Sequence, residues 1–109
     1  MSIDDLRRRI DALDERIVEL LNERASCALR IGEIKQQLGL EIYQPERESQ
    51  VLSHVREHGV ATGGPLGGEA LTRLFERIID EARRLERRVV HDGMDPLEGP
   101  DGIKGNAGS

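Results

Sequence analysis

Aromatic and cysteine residues are scarce in this chain of 109 residues, which has one Tyr, one Phe, no Trp and a single Cys. The alternating β-branched and aromatic runs that predict a β-sheet are also missing. Hydrophobic residues make up 37% of the chain and charged residues 34%, and most of them are good helix formers. The sequence therefore predicts an all-α protein. Since one cysteine cannot form an intramolecular disulfide, a reducing cytoplasm is the expected location.

A basic excess and long apolar runs are lacking as well. The formal net charge of -5 argues against a nucleic-acid-binding protein, which usually carries a basic excess. No apolar run approaches the length of a membrane span, and the N-terminus has no signal-peptide core. The length fits one domain, and a domain of this size buries only a modest share of its surface. Oligomerisation would therefore supply additional core.

The first half of the chain carries a sustained heptad pattern. Apolar or small residues recur in steps of four and three from Leu6 to Leu38, which predicts one long helix. The helix is expected to begin near Asp4 or Asp5, whose carboxylates suit a helix N-terminus, and to stop at Gly39. About 35 helical residues span roughly 50 Å, farther than the rest of the chain would cover. A second copy of the chain is therefore expected to lie along this helix.

Two shorter helices are predicted after it. Pro45 suits the first turn of the second helix, which is expected to end around His58 with Gly59 as its cap. A flexible loop, residues 59–68, is expected to follow, because it is rich in Gly and lacks the Gly-Lys-Ser/Thr ending of a phosphate-binding loop. The third helix is predicted to run from about Glu69 to His91, because an apolar stripe recurs along it at helical spacing.

The last residues differ in composition from the rest. From Asp92 onward the chain contains two Pro and several Gly residues and few apolar ones, so this segment is predicted to be a disordered tail. The predicted organisation is thus one helical domain, residues 1–91, followed by a tail, residues 92–109.

Arg24 is the most informative departure from the heptad pattern, because the other members of its seam are apolar or small. Burial of a guanidinium without an anionic partner is costly, so an anion is expected to meet it. Lys35 lies about three helical turns further on, and Ala28 and Ile31 fall on the face between the two cations. A buried salt bridge to an acid of another helix would explain Arg24 equally well.

Glu86 borders the apolar face of the third helix, four residues after Ala82 and seven after Ile79. Its carboxylate can be a solvated charge at the edge of that face, or it can point into the same cavity as Arg24 and Lys35. Helical periodicity leaves both interpretations open.

The second helix contains a weak metal-binding pattern. His54 and His58 share a helix face, and with Glu57 they match the H-x-x-E-H pattern of one zinc protease class. No third ligand is apparent, and the chain is too small for a protease domain. An exposed pair of histidines is therefore expected, without a metal.

Two other features are expected to be structural only. Cys27 is expected to be a small buried side chain without an activated thiol. The arginine cluster of the third helix is expected to form a solvated face, paired with acids such as Asp80 at helical spacing. Its members are Arg83, Arg84, Arg87 and Arg88.

Several segments, taken in order, resemble the AroQ-type, all-helical chorismate mutases. The resemblance covers about residues 4 to 90, and several linked motifs make it more specific than any single pattern. The segments are LRRRIDALD at 6–14, LLNER at 20–24, IGEIK at 31–35, YQPERE at 43–48, and Leu74-Phe75 with Ile78-Ile79.

The resemblance implies a homodimer of three-helix chains whose long first helices cross between the subunits. Each of its two active sites would be completed by Arg7 of the partner subunit, which with Arg24 would hold the two carboxylates of chorismate. Lys35 would face the ether oxygen whose bond to carbon breaks. Arg47 and Glu48 match family site positions at the start of the second helix, with Glu48 near the ring hydroxyl.

The implied reaction is the intramolecular rearrangement of chorismate to prephenate in Phe and Tyr biosynthesis, which needs no nucleophile, metal or cofactor. Catalysis would come from holding a compact conformer and stabilising charge on the ether oxygen. Three positions depart from the best-known bacterial pattern, with Gln44 for an aspartate, Ala82 for a serine and Glu86 for a glutamine. Ile31 and Ile79 complete the expected binding residues.

The substitution at Glu86 leads to an expectation about pH. An ionised glutamate has no proton to donate to the ether oxygen. If Glu86 is catalytic, it must therefore be protonated in the complex, and activity should fall as the pH rises.

Two other functions are compatible with the sequence. An isochorismate-pyruvate lyase shares the implied fold; the non-acidic Gln44 is compatible with it, whereas Glu48 counts against it. A non-catalytic regulatory module that binds an aromatic-pathway enzyme is the other. The cations Arg7, Arg24 and Lys35 count against that second alternative, since a scaffold has little use for them. A mutase regulated by such a partner enzyme also remains compatible.

Overall fold

The computed structural model describes residues 1–92, with side chains up to Val89, and contains three α-helices. They are α1 (Ile3–Leu38), α2 (Pro45–Thr62) and α3 (Gly68–Asp92). The residues described contain no strand, and the predicted all-α class with a long first helix is confirmed. Of the predicted tail, Asp92 belongs to α3, and residues 93–109 lie outside the described part of the chain.

Both ends of α1 are capped by local hydrogen bonds. The helix starts slightly before the predicted Asp4 or Asp5, because Ser2 is the cap: its hydroxyl accepts from the Asp5 backbone N–H, and the Asp5 carboxylate accepts from the Ser2 backbone N–H. That second hydrogen bond is the main reason why the pKa of Asp5 lies below its ordinary value. At the other end Gly39, at φ 69°, terminates the helix as predicted.

The end of α2 differs from the prediction. Pro45 occupies its first turn as expected, but the helix continues through Gly59 and ends at Thr62, with Gly63 (φ 78°) as the cap. A Cβ at Gly59 would lie 2.2 Å from Leu71 Cδ1, so the missing side chain lets α2 and α3 approach each other. Gly59 therefore serves helix packing rather than helix termination, and the loop is shorter than predicted.

Helix α3 packs against both α1 and α2. It approaches α1 most closely at Gly32, where an added Cβ would lie 3.2 Å from the Glu86 Cα. The buried apolar residues of the described chain are few, namely Ala28, Ile79 and Val89. One chain alone thus has a small core, concentrated where the C-terminal half of α1 meets α3.

The N-terminal half of α1 has an apolar stripe that the other described residues leave largely uncovered. Its four leading members are between 44% and 53% exposed: Leu6, Ile10, Leu13 and Ile17. The chain measures 50 × 35 × 16 Å, so its longest dimension is close to the length of α1. None of the helices in residues 1–92 is long and apolar enough to cross a membrane.

Candidate active site

A pocket of about 390 Å³ lies between the C-terminal half of α1, the start of α2 and the C-terminal half of α3. Its walls combine apolar side chains with a cluster of charged ones. The lining residues are Arg24, Cys27, Ala28, Ile31, Lys35, Ile42, Gln44, Arg47, Glu48, Val51, Ile79, Ala82, Arg83 and Glu86.

A buried ion pair forms one side of the pocket. Lys35 Nζ donates to Glu86 Oε1 at 2.8 Å and to the Ile42 carbonyl oxygen at 3.0 Å. The side chains of Lys35 and Glu86 are only 10% and 12% exposed. Burial of an ammonium ion is costly unless partners satisfy its charge and hydrogen bonds, and these two contacts supply them. The close approach of the helices at Gly32 brings this pair together.

A second ion pair connects α3 to the start of α2. Arg83 Nη2 donates to Glu48 Oε1 at 2.8 Å and to Glu48 Oε2 at 2.9 Å, and Arg83 Nε donates to Oε2 at 3.1 Å. The guanidinium also lies over the Tyr43 ring, with its Cζ 5.1 Å from the ring centroid. The predicted solvated role is therefore wrong for Arg83, whereas Arg84 is 59% exposed and pairs with Asp80 as expected.

Arg24 and Arg47 add two more cations to the pocket wall. Arg24 is half-buried, and none of the ion pairs within residues 1–89 involves it. The predicted alternative, a salt bridge to an acid of another helix, is thus not seen among the described side chains. Gln44 lies at the start of α2, and its side chain makes no capping hydrogen bond with that helix.

Arg7 is the one predicted site residue that lies elsewhere. It is exposed on α1, roughly 25 Å along the helix axis from Arg24. The pocket of a single chain brings together all the other predicted site residues: Arg24, Ile31, Lys35, Gln44, Arg47, Glu48, Ile79, Ala82 and Glu86.

Some lining residues were not predicted as site residues. Cys27 is exposed and lines the pocket, so the prediction of a buried side chain was wrong. Cys27 lies one turn before Ile31, which placed it near the pocket. Helical spacing could not show that no helix within residues 1–92 covers it. Arg83 follows Ala82 directly, and no sequence pattern linked it to Glu48 on another helix. Ile42 and Val51 complete the apolar wall.

The lining charges favour an anionic ligand. Arg24, Lys35, Arg47 and Arg83 face the two carboxylates of Glu48 and Glu86, which leaves an excess of two positive charges. Most of the remaining wall is apolar, and the buried Lys35 and Glu86 are the charges least exposed to water. A compact organic dianion is the ligand that this combination fits best.

The described residues give no comparable support for a metal site. His54 and His58 stack on the exposed face of α2 with ring centroids 6.4 Å apart. Within the described residues, no group of three or more His, Cys, Asp or Glu side chains could hold a metal ion.

The family model described as chorismate mutase type II matches residues 6–87 of the chain. This match includes α2, most of α1 and α3, and every lining residue of the pocket.

Similar proteins fall into longer and shorter groups. A bifunctional chorismate mutase/prephenate dehydratase from Aquifex aeolicus (strain VF5) is 42% identical over 86 residues, which cover 78% of this chain and 24% of that relative. A chorismate mutase from Methanocaldococcus jannaschii is 30% identical over 92 residues, covering 81% of this chain and 87% of the relative. A 4-amino-4-deoxychorismate mutase from Streptomyces pristinaespiralis is 32% identical over 98 residues, which cover 90% of this chain and 74% of that relative. The chain spans about a quarter of the length of the bifunctional relatives.

Proposed function

The chain belongs to the chorismate mutase type II family, and we propose that it catalyses the rearrangement of chorismate to prephenate in Phe and Tyr biosynthesis. The observation that carries the proposal is the excess of two positive charges around the pocket. Chorismate is a dianion, so its two carboxylates would balance these charges. The pocket volume of about 390 Å³ is in the range of small-molecule sites.

The rearrangement is intramolecular, so the protein contributes position and charge. Arg24 would hold one carboxylate, since a guanidinium pairs with a carboxylate through two parallel hydrogen bonds. Lys35 would donate to the ether oxygen as its bond to carbon breaks and negative charge develops there. Ile31 and Ile79 would press the substrate into the compact conformer in which the two reacting carbons meet.

Glu86 would act beside Lys35 at the ether oxygen. A protonated carboxyl donates one hydrogen bond, whereas the ionised form only accepts. When the dianion binds, Lys35 would turn its hydrogen bond from Glu86 to the ether oxygen, and only a protonated Glu86 could donate a second hydrogen bond there. Gln44, Arg47 and the backbone at Ala82 would make the remaining polar contacts with the substrate.

The functional unit would be a homodimer. The apolar stripe on the N-terminal half of α1 is about half exposed in one chain, and a second α1 would cover it. Arg7 lies on the same half of α1, too far from its own pocket to reach it. In a symmetric dimer with crossing α1 helices, Arg7 of each chain would instead complete the pocket of the other, where it would hold the second carboxylate.

Two related substrates are second candidates. Isochorismate is compatible with the non-acidic Gln44 in the pocket wall. The Streptomyces relative is named for 4-amino-4-deoxychorismate, which carries an amino group in place of the ring hydroxyl. An aromatic-pathway enzyme as partner is compatible with the relatives in which a dehydratase is joined to the mutase. A cytoplasmic location also stays a prediction.

The test is the loss of chorismate absorbance with purified protein, for wild type and the Lys35→Gln variant. Loss of the positive charge at the ether oxygen should lower kcat by about a hundredfold or more. Arg30→Gln is the matched control, because Arg30 is a cation of the same helix that is 79% exposed and does not line the pocket. Its kcat should equal that of wild type.

Three results would count against the proposal. Wild-type protein that leaves chorismate unchanged would refute it, and conversion of isochorismate to pyruvate and salicylate would establish the lyase alternative instead. Equal losses in the Lys35→Gln and Arg30→Gln variants would remove the role assigned to Lys35.

A further inference from the structure

The ion pair of Arg83 with Glu48 is a feature of the pocket that the proposed rearrangement does not use. Both Glu48 oxygens accept from the guanidinium, at 2.8 to 3.1 Å, and the Tyr43 ring supports it from one face. The two side chains are 23% and 24% exposed. Such a two-point contact fixes the carboxylate plane as well as its position.

The neighbouring arginine shows that this contact is specific to position 83. Arg84 is 59% exposed, and its guanidinium contacts Asp80 on its own helix at 3.5 Å. Arg83 approaches the same Asp80 no closer than 3.8 Å, and its shorter contacts cross to α2. The guanidinium of Arg83 thus belongs to the pocket wall, whereas that of Arg84 belongs to the surface of α3.

The charge of Glu48 limits what part of a substrate it can face. A carboxylate repels the two carboxylates of chorismate, so it must face the one group of the substrate that donates a hydrogen bond, the ring hydroxyl. Arg83 uses one lone pair or more on each oxygen, and further lone pairs stay available to the hydroxyl.

We propose that Arg83 is a positioning residue that holds Glu48 toward the ring substituent and makes the pocket select a neutral hydroxyl over a cationic amine. This inference rests on the proposed mutase function. The guanidinium compensates the charge of Glu48, so Glu48 gains little additional attraction for an ammonium group. An ammonium group would also approach the positive charge of Arg83, whereas a hydroxyl avoids that repulsion.

The experiment measures kcat/KM for chorismate and for 4-amino-4-deoxychorismate at a pH where the amine is protonated. Arg83→Gln removes the charge and the two-point contact, whereas Arg83→Lys keeps the charge alone. Arg84→Gln is the matched control on the next residue of α3. Circular dichroism and thermal unfolding of each variant show whether the fold is retained.

In Arg83→Gln, kcat/KM for chorismate should fall by about tenfold. This is the effect of losing one charge-assisted hydrogen bond, here the bond between Glu48 and the ring hydroxyl. Because the negative charge of Glu48 is then uncompensated, it attracts the protonated amine more strongly. The ratio of kcat/KM for chorismate to that for 4-amino-4-deoxychorismate should therefore fall by at least about tenfold. Arg83→Lys should restore the wild-type preference while chorismate turnover stays reduced. Arg84→Gln should match wild type in both quantities.

Failure of the inference and failure of the proposed function give different results. If wild type converts chorismate but Arg83→Gln slows both substrates equally, Arg83 is structural or binds a substrate carboxylate, and the inference is overturned alone. If Arg83→Lys shows the same changed preference as Arg83→Gln, charge compensation is overturned. Wild-type protein inactive on both substrates overturns the proposed function and this inference with it.

Discussion

At the scale of single residues, the buried ammonium of Lys35 is the most demanding group of the pocket. The whole Lys35 residue is 8% exposed, and one carboxylate and one backbone carbonyl oxygen accept hydrogen bonds from its ammonium group. Removal of either partner of a buried pair leaves an uncompensated charge, so both Lys35 and Glu86 also contribute to stability. A substrate ether oxygen can replace the carboxylate as the acceptor of the Lys35 hydrogen bond. Ligand binding would then change the hydrogen bonding of Glu86.

The Glu86→Gln variant tests that coupling through the pH dependence of kcat. In wild type, kcat should fall by about tenfold per pH unit once Glu86 is mostly ionised in the complex. A glutamine amide donates at any pH. The variant should therefore keep its activity at high pH, measured by the loss of chorismate absorbance over a series of buffers.

Glu81→Gln supplies the matched control, because Glu81 is on the same helix, 51% exposed and paired with Arg77. It should keep the pH profile of wild type. If Glu86→Gln also keeps that profile, Glu86 does not donate a hydrogen bond to the ether oxygen, and its role is limited to holding Lys35.

The residues that escaped prediction share one physical cause. Helical spacing gives the direction of a side chain within its own helix. It placed Lys35 on the same face as Arg24, but it left Glu86 either at a solvated edge or in the cavity. It does not give the neighbouring helix, so the contact of Arg83 with Glu48 could not be predicted. The exposure of Cys27 escaped for the same reason, because it depends on which helix covers that face of α1.

At the scale of helices, the boundaries at Gly39 and Pro45 were predicted correctly, whereas the end of α2 was not. Pro45 and Gly39 act through their own backbone geometry, so their roles follow from the residue type. Gly59 was expected to end α2, yet it lies inside the helix opposite Leu71. A glycine that allows two helices to approach looks the same in sequence as one that ends a helix.

Gly32 makes a corresponding contact between α1 and α3, and Gly32→Ala tests its importance. The new Cβ would lie 3.2 Å from the Glu86 Cα and 3.3 Å from its Cβ, so the backbone of α3 has to shift. The gain in helix propensity, about 1 kcal/mol, offsets part of the packing cost in the free energy of unfolding. The displacement of Glu86 from Lys35 remains, and kcat/KM should fall by about tenfold.

Gly59→Ala is the control with the same substitution at the other helix contact. Its new Cβ would meet only the Leu71 methyl group, a side-chain end that can rotate, and Gly59 does not line the pocket. Denaturant unfolding and chorismate turnover should then separate the two variants. Unchanged turnover in Gly32→Ala would show that α3 can shift there without disturbing the pocket.

At the scale of the whole molecule, two features of the single chain favour the proposed dimer. Its buried apolar core is small, while the stripe on the N-terminal half of α1 remains about half exposed. Its pocket holds every predicted site residue except Arg7, which lies at the far end of the same helix. A dimer in which α1 helices cross would resolve both deficits with one contact, since the same segment carries the stripe and the arginine.

Mixing two impaired variants tests whether Arg7 acts in the pocket of the partner subunit. Arg7→Ala and Arg24→Ala should each lose most of their activity as separate dimers. Every pocket then lacks one of the two arginines that would bind the substrate carboxylates. A hybrid dimer would contain one pocket with both substitutions and one with neither. Random exchange of subunits makes half of the dimers hybrid, so an equal mixture should regain about a quarter of wild-type activity.

The same mixture separates the dimeric arrangement from a pocket served by a single chain. If Arg7 and Arg24 acted within one chain, every pocket of the mixture would still carry one substitution, and no activity would return. Each variant unfolded and refolded alone is the control, and it should remain inactive. Recovery in the mixture alone would require that two chains share each pocket, since no rearrangement within either variant can restore its missing arginine.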